Sequence, residues 1–181
     1  MSPLSPAALA DRQDVVDTVV RYGCALDAKD WAGARSCFAD EIEADYADLR
    51  GTGPERVAAQ AFVDLRRRAL EGLQTHHMST NHLVTLDGDR ATCVSAMLIH
   101  RLDPRRESDN TFDTLAHYTH GLIRTPQGWR IARVQQRVAW NRGNPAVHAG
   151  AFTVTCAPAP TGTKPLNSSR QSSGVPWFST K

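Results

Sequence analysis

The sequence predicts an α+β domain in which three N-terminal helices pack on a curved antiparallel sheet and enclose a pocket. Two observations carry this. Up to about residue 72 the apolar residues recur at spacings of three and four, and from about residue 77 they alternate, which separates amphipathic helices from half-buried strands. The strand-like segments also succeed one another across the short turn signals Asp87-Gly88, Asp103-Pro104 and Pro126-Gln127-Gly128, as neighbours in an antiparallel meander do.

Ser5 and Pro6 supply a cap and a first-turn proline for a first helix running to about Ala28. Within it Val16, Val20 and Gly23 recur at spacings of four and three, and the next member of that series is Asp27, a carboxylate on the stripe that faces the interior. Asp30 caps a short second helix through Trp31 and Phe38, after which residues 41–46 alternate, with Ile42, Ala44 and Tyr46 on one face. Gly53-Pro54 opens a third helix that buries Val57, Ala61 and Leu65, with Phe62 beside them, and fades near Gly72. Four strands come next, at about 77–86, 90–102, 112–124 and 129–141. On the second of these Val94, Ala96, Leu98 and His100 share a face that reads as inward; on the last, Ala132, Val134, Val138 and Trp140 form an apolar face interrupted by Gln136. Beyond about Phe152 periodicity stops and Pro, Ser, Thr and Gly dominate. The predicted organisation is therefore one domain over 1–150 and an extended or disordered tail over 151–181, whose Trp177-Phe178 is a possible docking element.

A chain of 181 residues fits one such domain. The net charge of +2 arises from 21 basic and 19 acidic side chains scattered along the chain, which gives no field that implies nucleic acid. The densest basic run, Arg66 to Arg68, reads as a solvated helix face. The mean hydropathy is −0.40, no apolar run approaches the roughly 20 residues of a membrane span, and the N-terminus lacks a signal-peptide pattern, so a cytoplasmic protein without membrane partners is expected. Cys24, Cys37, Cys93 and Cys156 show neither zinc-like pairing nor disulfide-framework density, so they read as reduced and non-catalytic. Phosphate-cradling glycine motifs, HExxH and GxSxG are absent, and His76 and His77 point to opposite faces of a strand. Neither a cofactor nor a metal is expected.

The chemistry therefore centres on Asp27. A carboxylate on a buried helix face must find a partner or become neutral; the plainer alternative is that Asp27 ends its helix or caps the next. Histidine could be the partner, but His77, His82, His100, His117 and His120 all fall on or beside predicted strands, and pattern alone does not choose among them.

The segments LDAKDW at 26–31, ADY at 44–46, THHM at 75–78, LIH at 98–100 and QGWRI at 127–131, in this order and spacing, resemble the SnoaL-like group of the NTF2-like superfamily over roughly residues 8–142. Within that group the resemblance is particularly to the patterns of scytalone dehydratase, bile-acid 7α-dehydratase and lindane dehydrochlorinase. The resemblance implies a cone-shaped fold and an Asp27–His77 pair acting as general base, with Tyr46 and His100 as further catalytic groups. The bile-acid dehydratase pattern adds Tyr22, whereas Leu26 stands where the scytalone dehydratase pattern has a tyrosine. The implied activity is that of a cofactor-independent, dehydratase-like lyase; an isomerase or aldol-type cyclase using the same base, or a non-catalytic ligand-binding or assembly module, are the alternatives. Val16, Val20, Phe62, Val134 and Trp140, with Tyr118 and Gln136, are the expected pocket walls, suited to a mainly apolar cyclic substrate such as a polyketide, terpenoid or steroid-like molecule. The resemblance also suggests a homo-oligomer, a dimer or trimer.

Overall fold

Helix α1 (Pro6–Ala28) starts as its sequence dictates: Ser5 Oγ accepts the Ala8 N–H at 3.2 Å and Pro6 fills the first turn. It ends at Lys29, which adopts a left-handed conformation (φ 59°) while its N–H and that of Asp30 turn back to the Leu26 and Ala25 carbonyls. The computed structural model describes residues 5–51 and 53–148. The predicted tail over 151–181, including Cys156 and Trp177-Phe178, lies outside the described residues.

Helix α2 (Trp31–Ser36) is capped by Asp30, whose Oδ1 accepts the Gly33 N–H at 2.8 Å. Strand β1 (Phe38–Asp45) comes next, then a single turn α3 (Ala47–Arg50), strand β2 (Glu55–Ala58) and helix α4 (Ala59–Leu70). Gly53-Pro54 thus leads into a short strand rather than a helix. Ile42 and Val57 pair across β1 and β2, and the helix waits until Ala59. Strands β3 (Gln74–Asp87), β4 (Arg90–Leu102), β5 (Thr111–Thr125) and β6 (Gly128–Gly143) form the predicted meander, and a 3₁₀ turn covers Pro145–Val147. The sheet order is β2-β1-β6-β5-β4-β3, with β1 parallel to β6 and every other pair antiparallel.

Helices α1 and α4 cover the inner face of this mixed sheet. Helix α1 buries Val15, Thr18, Val19, Tyr22, Ala25 and Leu26, so its buried stripe is rotated by one residue from the predicted Val16–Val20 stripe. Val16 is only partly buried and Val20 is exposed. Adjacent valine pairs offer two equivalent stripes, and the sequence does not say which one packs. Helix α4 buries Ala59, Phe62, Val63, Ala69 and Leu70, leaving Ala61 exposed and Leu65 half-buried. Edge-on contacts of Phe38 with Tyr22 at 4.8 Å and with Phe62 at 5.3 Å tie the two helices to β1.

Two bulges in β6 set which side chains face inward. Register pairs Gly121 with Arg133 but Leu122 with Ile131, and Ala116 with Val138 but Leu115 with Trp140. Ala132 and Ala139 are the extra residues, and each inverts the alternation. Trp129, Ile131, Val134 and Gln136 are consequently all buried, whereas Trp140 turns to the outer face and is 44% exposed. Met78, Leu98, Leu115 and Trp140 form a cross-strand row on that outer face. The face of β4 bearing Val94, Ala96, Leu98 and His100, predicted to be inward, is this outer one. The helices cover Cys93, Ser95, Met97, Ile99 and Arg101 instead.

His120 lies on the inner face of β5 with no exposed surface, and neither ring nitrogen has a protein partner among the described residues. Burial, then the nearby His82, lowers its pKa to about 4. The unfolded chain takes up this proton near pH 6.5, so the neutral ring's contribution to stability is complete above that pH and is lost as pH falls toward about 4. His120→Leu is expected to raise the melting temperature more at about pH 5 than at about pH 8, as thermal melts at the two pH values would show. Equal shifts, or destabilisation at both, would contradict this assignment.

Candidate active site

Asp27 sits in the last turn of α1 and reaches across to β3 instead of capping either helix. Its Oδ2 accepts the backbone N–H of His77 at 2.7 Å, while Oδ1 receives the Thr75 hydroxyl at 2.9 Å and His77 Nδ1 at 2.6 Å. Thr75 Oγ1 in turn accepts from Lys29 Nζ at 3.0 Å. Gly23 faces the same strand residue: a Cβ there would lie in ordinary contact, 3.4 Å from His77 Cβ. The His77 side chain is 6% exposed and that of Asp27 20%, whereas the neighbouring His76 is 66% exposed on the other side of the strand.

Burial opposes charge on Asp27, but hydrogen bonds from the His77 ring, the His77 N–H and Thr75 outweigh it and hold the carboxyl below its ordinary range. Burial also lowers the pKa of His77; Asp27 opposes this, and the charges of Arg101 and Lys29 add to it. At neutral pH the pair is therefore a carboxylate and a neutral imidazole. Nδ1 carries the proton that Asp27 accepts, and Nε2 is left as the basic nitrogen.

His77 forms part of the wall of a small cavity that opens to solvent. Tyr22, Leu26, Tyr46, Leu70, Met97 and Ile99 contribute the wall nearest the helices and β4, and Tyr118 and Gln136 come from β5 and β6. Gln136 Nε2 donates to the Tyr118 hydroxyl at 2.5 Å. Burial raises the pKa values of Tyr22 and Tyr118 well above the usual phenol range, so both remain neutral hydrogen-bond donors.

Of the predicted site residues, the structure brings Tyr22, Tyr46, His77, Tyr118 and Gln136 around one cavity, with Asp27 behind His77. It does not bring His100 there. That ring lies on the outer face of β4, where Nδ1 contacts Asp113 Oδ1 at 2.8 Å. Val16 and Val20 belong to the wrong stripe of α1, and Trp140 is turned outward by the Ala139 bulge. Phe62 and Val134 are buried but outside the cavity wall, with Phe62 occupied by Phe38 and Tyr46.

The rest of the wall was not expected from the sequence, and its charged and titratable members are Arg66, Arg101 and His148. Arg66 turns inward, away from the solvated face inferred for Arg66 to Arg68. Its Cζ lies 4.3 Å from the Phe62 ring centre and 4.6 Å from that of Tyr46. A signal for it existed, since 59, 62, 63, 66, 69 and 70 form one helical stripe. Arg101 ends the alternation through Met97 and Ile99. Burial lowers its pKa to about 10, which leaves it charged at neutral pH. Burial, then the charges of Arg101, Arg66 and His77, lowers the pKa of His148 to about 3.

A helix-covered, curled mixed sheet with a side-chain-lined pocket defines the NTF2-like class. Within that class the chain belongs to the SnoaL-like domain family, whose model matches residues 7–135. An uncharacterised protein of Mycobacterium tuberculosis (strain ATCC 25618 / H37Rv) is 26% identical over 137 residues, covering 73% of this chain and 88% of the relative. The fold is similar to that of a Kribbella flavida protein, with TM-score 0.73 and 24% identity over 78% of this chain and 98% of the other. It is also similar to a type 3 hexachlorocyclohexane dehydrochlorinase of Novosphingobium barchaimii, with TM-score 0.63 and 16% identity over 78% of this chain and 94% of that enzyme. Among the described residues no helix is long and apolar enough to cross a membrane.

Proposed function

We propose that the protein is a cofactor-independent lyase of dehydratase type, with His77 as general base and Asp27 as its orienting partner. The observation that carries this reading is the 2.6 Å contact between His77 Nδ1 and Asp27 Oδ1 in a ring that also lines the cavity. Asp27 fixes the tautomer and would stabilise the imidazolium formed when Nε2 takes a proton from substrate carbon. The electrons of that C–H bond form a C=C bond as the neighbouring C–O bond breaks, and the imidazolium returns its proton to the departing oxygen, which leaves as water. The neutral hydroxyls of Tyr22 and Tyr118 are placed to donate to a carbonyl or departing oxygen, and Tyr46 lines the same wall. The similarity to a dehydrochlorinase, itself an eliminating enzyme by name, agrees with this chemistry.

The test is a mass-spectrometric screen against hydroxylated cyclic ketones and acids, in which a product lighter by one water is expected. A product of unchanged mass would replace elimination with isomerisation or cyclisation. On a substrate so found, kcat/KM should rise with pH through a group titrating below the ordinary histidine value and then stay level at neutral pH, because the base must be unprotonated and its pKa is lowered. A profile that instead climbs through an inflection above neutrality would remove His77 as the base.

A further inference from the structure

The cavity wall carries four basic side chains, Arg66, His77, Arg101 and His148, and no aspartate or glutamate. Asp27 stands behind His77, with both its oxygens held by Thr75 and His77. Neither arginine has an ion-pair partner among the described residues. Arg101 is the more exacting case. Its residue is 5% exposed, Nη1 donates to Thr114 Oγ1 at 2.9 Å, and Nε is buried with no partner. Asp113, the acid on the facing strand, lies on the opposite side of the sheet and is engaged by His100 and Arg142.

A guanidinium taken out of water without a counter-charge is costly, and the cost is recovered if a ligand supplies the anion. Arg101 is such a group, and with the partly exposed Arg66 beside Leu26, Leu70, Met97 and Ile99 it describes a receptor with an apolar body and a cationic end. With Nη1 committed to Thr114, the remaining Nε edge of Arg101 presents the paired N–H geometry that matches the two oxygens of a carboxylate. We propose that the substrate of this pocket is an organic acid, and that Arg101, assisted by Arg66, receives its carboxylate while the apolar body packs toward His77. This rests on the reading of the same pocket as an elimination site and narrows its substrate class.

The experiment compares benzoate with benzamide, which are near in shape and differ in charge, by calorimetric titration of the full chain at neutral pH. Benzoate is expected to bind at least about tenfold more tightly, as one charge-assisted contact would provide. Arg101→Met should abolish the preference while retaining the cooperative thermal transition. Arg101→Lys, which keeps the charge but not the fork, should restore only part of it, and Arg66→Met should weaken it. Equal affinities, failure of benzoate to saturate in the millimolar range, or a preference that survives Arg101→Met would overturn the proposal. Tighter binding of phenyl phosphate than of benzoate would overturn the assignment to a carboxylate. The titration needs no turnover, so it is separable from the mechanism: an Asp27→Asn variant that stays active while benzoate still binds would sink the base and spare the anion site, and the reverse pattern would do the opposite.

Discussion

His77→Ala is expected to lower kcat/KM by about 10²–10⁴-fold, the contribution typical of a positioned general base, and to leave the fold in place. The ring is a small part of the buried surface, and the backbone N–H that Asp27 Oδ2 accepts survives the substitution. Asp27→Asn should reduce activity by a comparable factor for a different reason. An amide can orient the ring, but it cannot stabilise the imidazolium, and it can offer its NH₂ to Nδ1 and so select the wrong tautomer. The two losses should not add in the double variant, because both remove one proton-abstracting unit. Steady-state kinetics on the substrate returned by the mass screen decides the matter. Activity within about tenfold of the parent in both single variants, a loss too small for a missing base, would exclude the pair from the reaction.

Trp129→Ala should produce the largest loss of stability. The indole is 2% exposed beneath α1, its Nε1–H donates to Asp11 Oδ1 at 3.2 Å, and the Arg124 guanidinium lies over the ring at 4.5 Å. Arg124 is itself paired with Asp11 at 2.7 Å, so one aromatic side chain joins the start of α1 to the ends of β5 and β6. Removing a buried tryptophan typically costs about 3–5 kcal/mol, which in a domain of this size lowers the melting temperature on the order of 10 °C. Trp129→Phe should recover most of the packing but not the Asp11 hydrogen bond. Thermal or denaturant unfolding measures both, and an alanine variant within about 1 kcal/mol of the parent, well inside the usual cost of such a truncation, would show that the cluster is dispensable.

Much of the fold was legible because local chemistry and tertiary packing agree. Ser5, Pro6 and Asp30 act as the caps and first-turn residue they resemble, and the three turn signals separate the four strands of the meander. Legibility failed where one sequence supports two faces. Val15/Val19 and Val16/Val20 are equivalent by spacing, and β4 alternates apolar residues on both sides, so only the positions of α1 and α4 decide that Met97 and Ile99 point in while Leu98 and His100 point out. The bulges at Ala132 and Ala139 carry no residue-type signal, yet they determine where Trp140 ends. In the site, Asp27 became conspicuous as the next member of the Val16, Val20 and Gly23 series, a stripe of which the structure buries only Gly23 fully, and family resemblance selected His77 from the strand histidines. Arg66 was hidden by its neighbours: Arg67 and Arg68 are exposed, and a run of three like residues suggests one environment when the helix gives them different ones.

Asp27 holds both the peptide N–H and the imidazole of His77, so one side chain fastens the position of β3 and the orientation of the base together. A ligand that wedged β3 away from α1 would break both attachments at once and release the ring from its orientation. Room for a bulky guest is therefore expected to come from rotation of side chains that make no such attachment, Met97 among them, with the base as the stationary reference against which different guests are aligned.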